Sequence, residues 1–267
     1  MVSTPAFPEL LRLVEDRSAA LRTAVATAPD LRARVPACPD WALSDLLEHV
    51  TTVQRFWTAA AATGEGFTPV TPEPDGALAP AAALARSEEV TGGLLKALDE
   101  AGPDAPCWTW WPGTGAPGTV AAVARHQVQE AAVHAHDAQQ AAGSPRPVPE
   151  SVAVDGVDEF LTLSWGTADP WPHPPLAVRL RSTEGPSWQV ELGPDGPRRV
   201  PVGTTALPGD TGTLPGDTDA LPPGMLELSG PAGELLLVLH RRRRPGGLRT
   251  TGDPTALERL IAWPRLG

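Results

Sequence analysis

The sequence predicts an α+β protein of two domains, a four-helix bundle over residues 1–144 and a smaller α/β domain over residues 145–267. Three observations carry this reading. The chain has 267 residues, more than one ordinary domain uses and enough for two. Before Gly143, apolar residues recur with the helical period in four successive segments. After Pro145 the pattern changes to short alternating runs mixed with shorter helical ones, the mark of a domain of a different class.

The first helix is expected over residues 9–28, with Leu10, Leu11, Val14, Leu21 and Val25 on one side and Pro29 as its stop. VPACPDW (35–41) carries two prolines and must be an extended or turning connector. The second helix spans about residues 42–63, its apolar face set by Leu46, Leu47, Val50, Val53, Phe56 and Trp57. Asp45 falls in its first turn, where a carboxylate satisfies free N–H groups and complements the dipole, a role that suits it better than metal binding. A Gly/Pro-rich loop over 64–76 precedes the third helix, about residues 80–101, which Gly102 and Pro103 terminate. The fourth helix, about residues 119–142, stops at Gly143.

In the second domain, 151–165 reads as a helix, and 176–182 and 188–192 as strands joined by TEGPS. A third strand is expected over 198–202, where Pro201 implies an edge or a strand end. Residues 203–224 hold LPGDT twice and then LPPG; this insertion is too rich in Pro and Gly, and too poor in apolar residues, to pack. A strand over 224–230, a helix over 231–242 and a short strand over 248–252 follow. The closing helix, 253–263, has Asp253 as its N-cap before Pro254.

Composition narrows the function classes. A formal net charge of −11 argues against a nucleic-acid binder. No apolar run approaches the length of a membrane span, and the first residues lack the basic and apolar parts of a signal peptide. The expectation is a soluble, cytoplasmic protein, a monomer or homodimer. Cys38 and Cys107 form no CxxC motif and no disulfide framework. The absence of tyrosine excludes a tyrosyl acid.

The chemistry concentrates in HQVQEAAVHAHD, residues 126–137. On a helix His126, Glu130 and His134 recur every four residues and share a face. An imidazole and a carboxylate at this spacing can reach one cation, as in helical zinc sites, and His49 on the second helix is the best further ligand. The spacing is not specific. Asp45 precedes His49, and Asp169 precedes His173, by the same four residues. An exposed ion pair or a satisfied core histidine accounts for it as well.

At these residues the chain resembles a known family, the mycothiol-dependent maleylpyruvate isomerase-like proteins. VPACPDWALSDLLEHV (35–50), RHQVQEAAVHAHDAQQAAG (125–143) and a C-terminal block from ELSGPAGELLLVLHRR to LRTTGDPTALERLIAW occur in the family's order and spacing. The resemblance implies a DinB-like metal-binding bundle joined to a sterol-carrier-protein-like α/β domain. It maps the metal ligands onto His49, Glu130 and His134 and implies Zn2+, or another divalent metal, with mycothiol as thiol cosubstrate and an actinobacterial source. Two imidazoles and one carboxylate leave a tetrahedral ion one open position, the layout of a catalytic site. A thiol coordinated there is deprotonated, and its thiolate can attack a small electrophile. If the adduct rotates and expels the thiol, the outcome is cis–trans isomerisation; if not, it is S-transfer. The alternative is a non-catalytic small-molecule-binding module that retains the bundle.

The neighbouring residues divide by geometry. His136 lies about 200° around the helix from His134 and faces away from the proposed ion, whereas Asp137 lies about 60° from it. Asp137 either orients a ligand or bonds at the helix surface; His126 is an extra ligand, a partner behind the ligands, or neither. Trp108, Trp110 and Trp111 either wall a pocket mouth or pack at an interface. In the family an arginine of the second domain helps at the active site, and Arg243, Arg244 and Arg249 are the candidates for holding the cosubstrate. A solvated helix end explains the 241–244 run equally.

Overall fold

The computed structural model describes residues 4–74, 76, 78–202 and 221–264. Apart from 221–224, the expected insertion lies outside the described residues. The chain divides into two compact units, Thr4–Pro112 with Ala116–Val148, and Gly113–Gly115 with Pro149 onward.

The first unit is built on four helices, α1 (Phe7–Thr27), α2 (Leu43–Thr63), α3 (Pro80–Ala101) and α4 (Val120–Ala141). α1 packs chiefly on α4, and α2 on α3. α1 begins before the expected residue 9 because Pro8 sits in its first turn, where the missing N–H needs no partner. The connector before α2 is a small antiparallel hairpin of β1 (Arg34–Val35) and β2 (Cys38–Ala42). It runs directly into α2, and the Asp45 carboxylate accepts the Ala42 N–H at 2.8 Å, closing the helix start. Leu21, Val25, Val35, Leu43, Leu46, Leu47 and Val50 pack with Ala135 and Ala138 of α4. Small side chains on α4 let its neighbours approach closely. From residue 127 to 138 every side chain of α4 except Glu130 is buried, so this stretch is the central rod of the unit.

Four polar residues join helices through the same interior. Gln54 Nε2 donates to Ser18 Oγ at 2.9 Å, Thr91 Oγ1 donates to Gln54 Oε1 at 2.8 Å, and Arg22 donates to Thr91 Oγ1 at 3.0 Å. Each buried polar atom of Gln54 therefore has a partner, as burial demands.

The second unit comprises α5 (Glu150–Thr162), β3 (Leu176–Ser182), β4 (Ser187–Gly193), β5 (Gly196–Val200), β6 (Met225–Gly230), α6 (Ala232–Leu239), β7 (Arg249–Thr251) and α7 (Pro254–Ala262). Its five-stranded sheet has the order β5-β4-β3-β6-β7, with β3 and β6 parallel and the other pairs antiparallel. Leu180, Leu228, Leu235, Val238, Leu257 and Leu260 line one apolar space, so α6 and α7 share a sheet face. The opposite face carries Arg179, whose guanidinium reaches Gln189 on β4 and Glu227 on β6.

Several boundaries differ from the sequence reading; α5 ends at Thr162 rather than residue 165, and two further differences have a visible cause. β5 starts at Gly196 rather than residue 198, because Gly193 and Gly196 pair across Pro194-Asp195 in a tight hairpin and Gly196 takes φ 94°. α6 ends at Leu239, not residue 242. Arg241 adopts φ 59°, and the Arg242 N–H turns back to the Leu237 carbonyl at 2.7 Å, closing the helix end.

Candidate metal centre

His49 stands on α2, and Glu130 and His134 stand one turn apart on α4. The bundle brings them together: one ligand atom from each lies within 4.8 Å of the others. Glu130 Oε1 is 3.2 Å from His49 Nε2 and 3.2 Å from His134 Nε2. Donors about 2.0–2.1 Å from a tetrahedral zinc stand about 3.3 Å apart, so these two separations fit ligands on one ion as well as the ion pairs they form here. The donor set of two imidazole nitrogens and a carboxylate oxygen suits zinc as well.

A second carboxylate supports the site from behind. Asp137 is fully buried, and its Oδ2 lies 3.1 Å from His134 Nδ1. When His134 Nδ1–H donates to Asp137, the Nε2 lone pair is left facing Glu130 and His49, the tautomer a metal ligand needs. Burial opposes charge on both members of the Glu130–His134 pair, but each stabilises the other. His134, with Glu130 on one nitrogen and Asp137 on the other, is pushed up to about 9. Glu130, facing His134, His49 and the charge of His126, is held well below the usual carboxylate range. His134 is thus a cation between two carboxylates unless a metal takes the place of its Nε2 proton.

Trp41, which the sequence reading did not single out, packs on the site: its ring centroid is 4.7 Å from that of His49 and 6.5 Å from that of His134. The available signal was its place at the end of the CPDW connector, immediately before α2. His126 is not among the grouped ligand atoms. Its ring stands edge-on among Trp57, Trp110 and Trp111, at 5.8, 5.5 and 5.4 Å. Trp108 joins the same aromatic cluster through Trp57 and Phe56. His136 is buried, with Nδ1 3.4 Å from the Arg146 carbonyl oxygen.

Arg243, Arg244 and Arg249 belong to the α/β unit and are exposed. Arg243 pairs with Glu234 at 3.0 Å, Arg244 precedes the 3-10 turn Pro245–Gly247, and Arg249 lies on β7. No helix among the described residues is long and apolar enough to cross a membrane.

Comparison with known proteins places this geometry in context. Residues 11–139 match the model of the mycothiol maleylpyruvate isomerase N-terminal domain, and residues 151–259 match that of the C-terminal domain of the same proteins. Solved structures of the mycothiol-dependent maleylpyruvate isomerase and of a single-residue mutant are similar in fold. Each has a TM-score of 0.59, at 17% and 16% identity respectively, covering 94% of this chain and 95% of the other. No curated protein matches the chain.

Proposed function

The chain belongs to the mycothiol maleylpyruvate isomerase family, and on that premise we propose that it is a zinc- and mycothiol-dependent enzyme acting on a small electrophile. The bundle is read as DinB-like and the α/β unit as sterol-carrier-protein-like. His49, Glu130 and His134 are the metal ligands in this reading, and another divalent metal is the alternative to zinc. The observation that carries it is the single oxygen of Glu130 standing 3.2 Å from both imidazole Nε2 atoms.

A zinc ion held by His49, Glu130 and His134 would supply a Lewis acid, which lowers the pKa of a thiol that binds it. The protein's own residues do the rest. Asp137 fixes the His134 tautomer, Trp41 packs against the His49 ring, and the bundle core holds α2 and α4 at ligand distance. Arg243, Arg244 and Arg249 are the proposed contacts for the polar parts of the cosubstrate, since guanidinium groups bind oxygens in pairs. Addition of the thiol to an activated double bond, rotation and expulsion gives cis–trans isomerisation of the maleylpyruvate type; retention of the thiol gives S-transfer.

The test is metal content and conjugate formation side by side. Purified protein is expected to hold one equivalent of zinc, and the His49→Ala/His134→Ala double variant none; equal, negligible zinc in both sinks the metal reading. Incubation with mycothiol and a panel of electrophiles, followed by mass spectrometry, separates isomer from conjugate. Zinc without either product favours a non-catalytic small-molecule-binding module.

A further inference from the structure

Gln127 is 1% exposed, and neither Oε1 nor Nε2 of its side chain has a hydrogen-bond partner among the described residues. A buried amide left in this condition opposes folding by about 1–3 kcal/mol, and buried polar groups in native proteins are nearly always paired. Gln54, another buried glutamine of the bundle interior, is satisfied at both ends. The contrast needs a reason, because a Leu or Met at position 127 would fill the same space without the penalty.

Position supplies that reason. Gln127 precedes Glu130 by three residues on α4, so the two side chains are surface neighbours on one helix. Around the axis it stands about 20° from His134 and about 60° from Glu130 at 100° per residue, on the face that carries the candidate ligands. In the structure it is Glu130 Oε1 that lies 3.2 Å from both imidazole Nε2 atoms. A carboxylate that gives one oxygen to a cation leaves the other as a strong acceptor, and such oxygens are held by neighbouring donors in metal sites.

We propose that Gln127 is a positioning residue of the metal centre, its Nε2–H donating to the Glu130 oxygen that faces away from the cation and so locking the carboxylate in its ligating orientation. The inference rests on the reading of His49, Glu130 and His134 as metal ligands. It also offers the orphaned amide a partner, the Glu130 oxygen that a cation would not take. Stability is then given up in one state and recovered in the other, as at sites built for function rather than for packing.

The test uses the full chain and Gln127→Met, which preserves length and removes the donor, with Gln127→Asn as a shorter amide. Zinc affinity is measured by competition with a chromophoric chelator, and thermal stability on metal-stripped protein. Gln127→Met is expected to be as stable as the parent or more so without metal, yet to bind zinc about 10–100-fold more weakly. Gln127→Asn should share the loss in affinity, since its amide cannot reach. Zinc affinity within twofold of the parent in Gln127→Met overturns the inference while leaving the metal reading intact. A metal-free Gln127→Met less stable than the parent also overturns it, because the amide then has a structural partner. If the parent itself binds no zinc, the metal reading and this inference fall together.

Discussion

The sharpest consequence of the site's electrostatics is a stability profile that reverses when metal is added. In the metal-free protein His134 bridges Glu130 and Asp137, and its imidazole is lifted from the ordinary 6.5 to about 9. That displacement corresponds to about 3 kcal/mol of folding stability, an order-of-magnitude figure for a buried ion pair. The depressed carboxyl of Glu130 reports the same pair and is not counted again. The sign follows from linkage. A group with a raised folded pKa contributes fully below its unfolded value, so the stabilisation is complete below pH 6.5 and disappears as pH rises through about 9. Zinc acts in the opposite direction, because it must displace the proton from Nε2; its affinity should therefore rise by about tenfold per pH unit across the same window. Chemical denaturation at pH 6, 7, 8 and 9, with and without zinc, reads both slopes. Metal-free protein should lose stability across the series, whereas the stabilisation added by zinc should grow. His134→Gln should flatten the first slope. A metal-free profile that is flat or rises between pH 6.5 and 9 would refute the placing of His134 as a cation between two carboxylates.

Other substitutions probe separate parts of the structure. Asp137→Asn leaves the shape of the buried contact to His134 but removes its charge, and should weaken zinc binding by about 10–100-fold in chelator competition. Thr91→Val is nearly isosteric, yet it strips a donor from Gln54 and an acceptor from Arg22; a loss of about 1–3 kcal/mol in urea denaturation is expected, with zinc affinity unchanged. Gly252→Ala forces a side chain onto φ 119° and brings its Cβ within 2.6 Å of the Met225 carbonyl oxygen. It should destabilise the α/β unit by at least about 1–3 kcal/mol, seen as a lower Tm.

The helices of the bundle were legible because apolar periodicity and helix stops coincide along the chain. Gly64, Gly102 and Gly143 all take positive φ where a helix finishes or has just finished, and each closes an apolar-periodic run. The end of α6 was not legible, since LLLVLHRRRR contains no breaker. The helix closes through Arg241 in a left-handed conformation that arginine seldom adopts. The β4–β5 hairpin carried its signal in Gly-Pro-Asp-Gly, but two arginines followed by Val200 drew the expected strand too far along the chain. For the site, Glu130 and His134 form a local pair that spacing can suggest and many surface helices imitate. His49 lies 81 residues from Glu130 in sequence, and no periodicity links them; its place on an amphipathic helix made it a candidate, and the family resemblance joined it to the pair. Trp41 and Gln127 escaped notice because an aromatic in a connector and a glutamine in a helix are ordinary until their surroundings are seen.

The two helices that meet at the site are held by different means, and the difference bears on how the donors keep their distance. α2 is fixed at its start, where the β2 strand runs into the helix and Asp45 closes the first turn; His49 follows within the next turn. α4 is fixed along its length, buried on nearly every side from residue 127 to 138. Neither segment is a loop, so the candidate ligands, with Glu130 3.2 Å from both imidazoles, stand on packed helices, the elements that hold a site most precisely. The same burial places His134, Asp137 and Gln127 in the interior, where ionised and polar groups oppose folding unless they are paired. A cation at the site would relieve His134 of its proton and give Gln127 its partner. Bound metal should therefore add to the stability of the fold by mass action, and a chelator should remove that increment without unfolding the apolar core around Leu43, Leu46 and Val50.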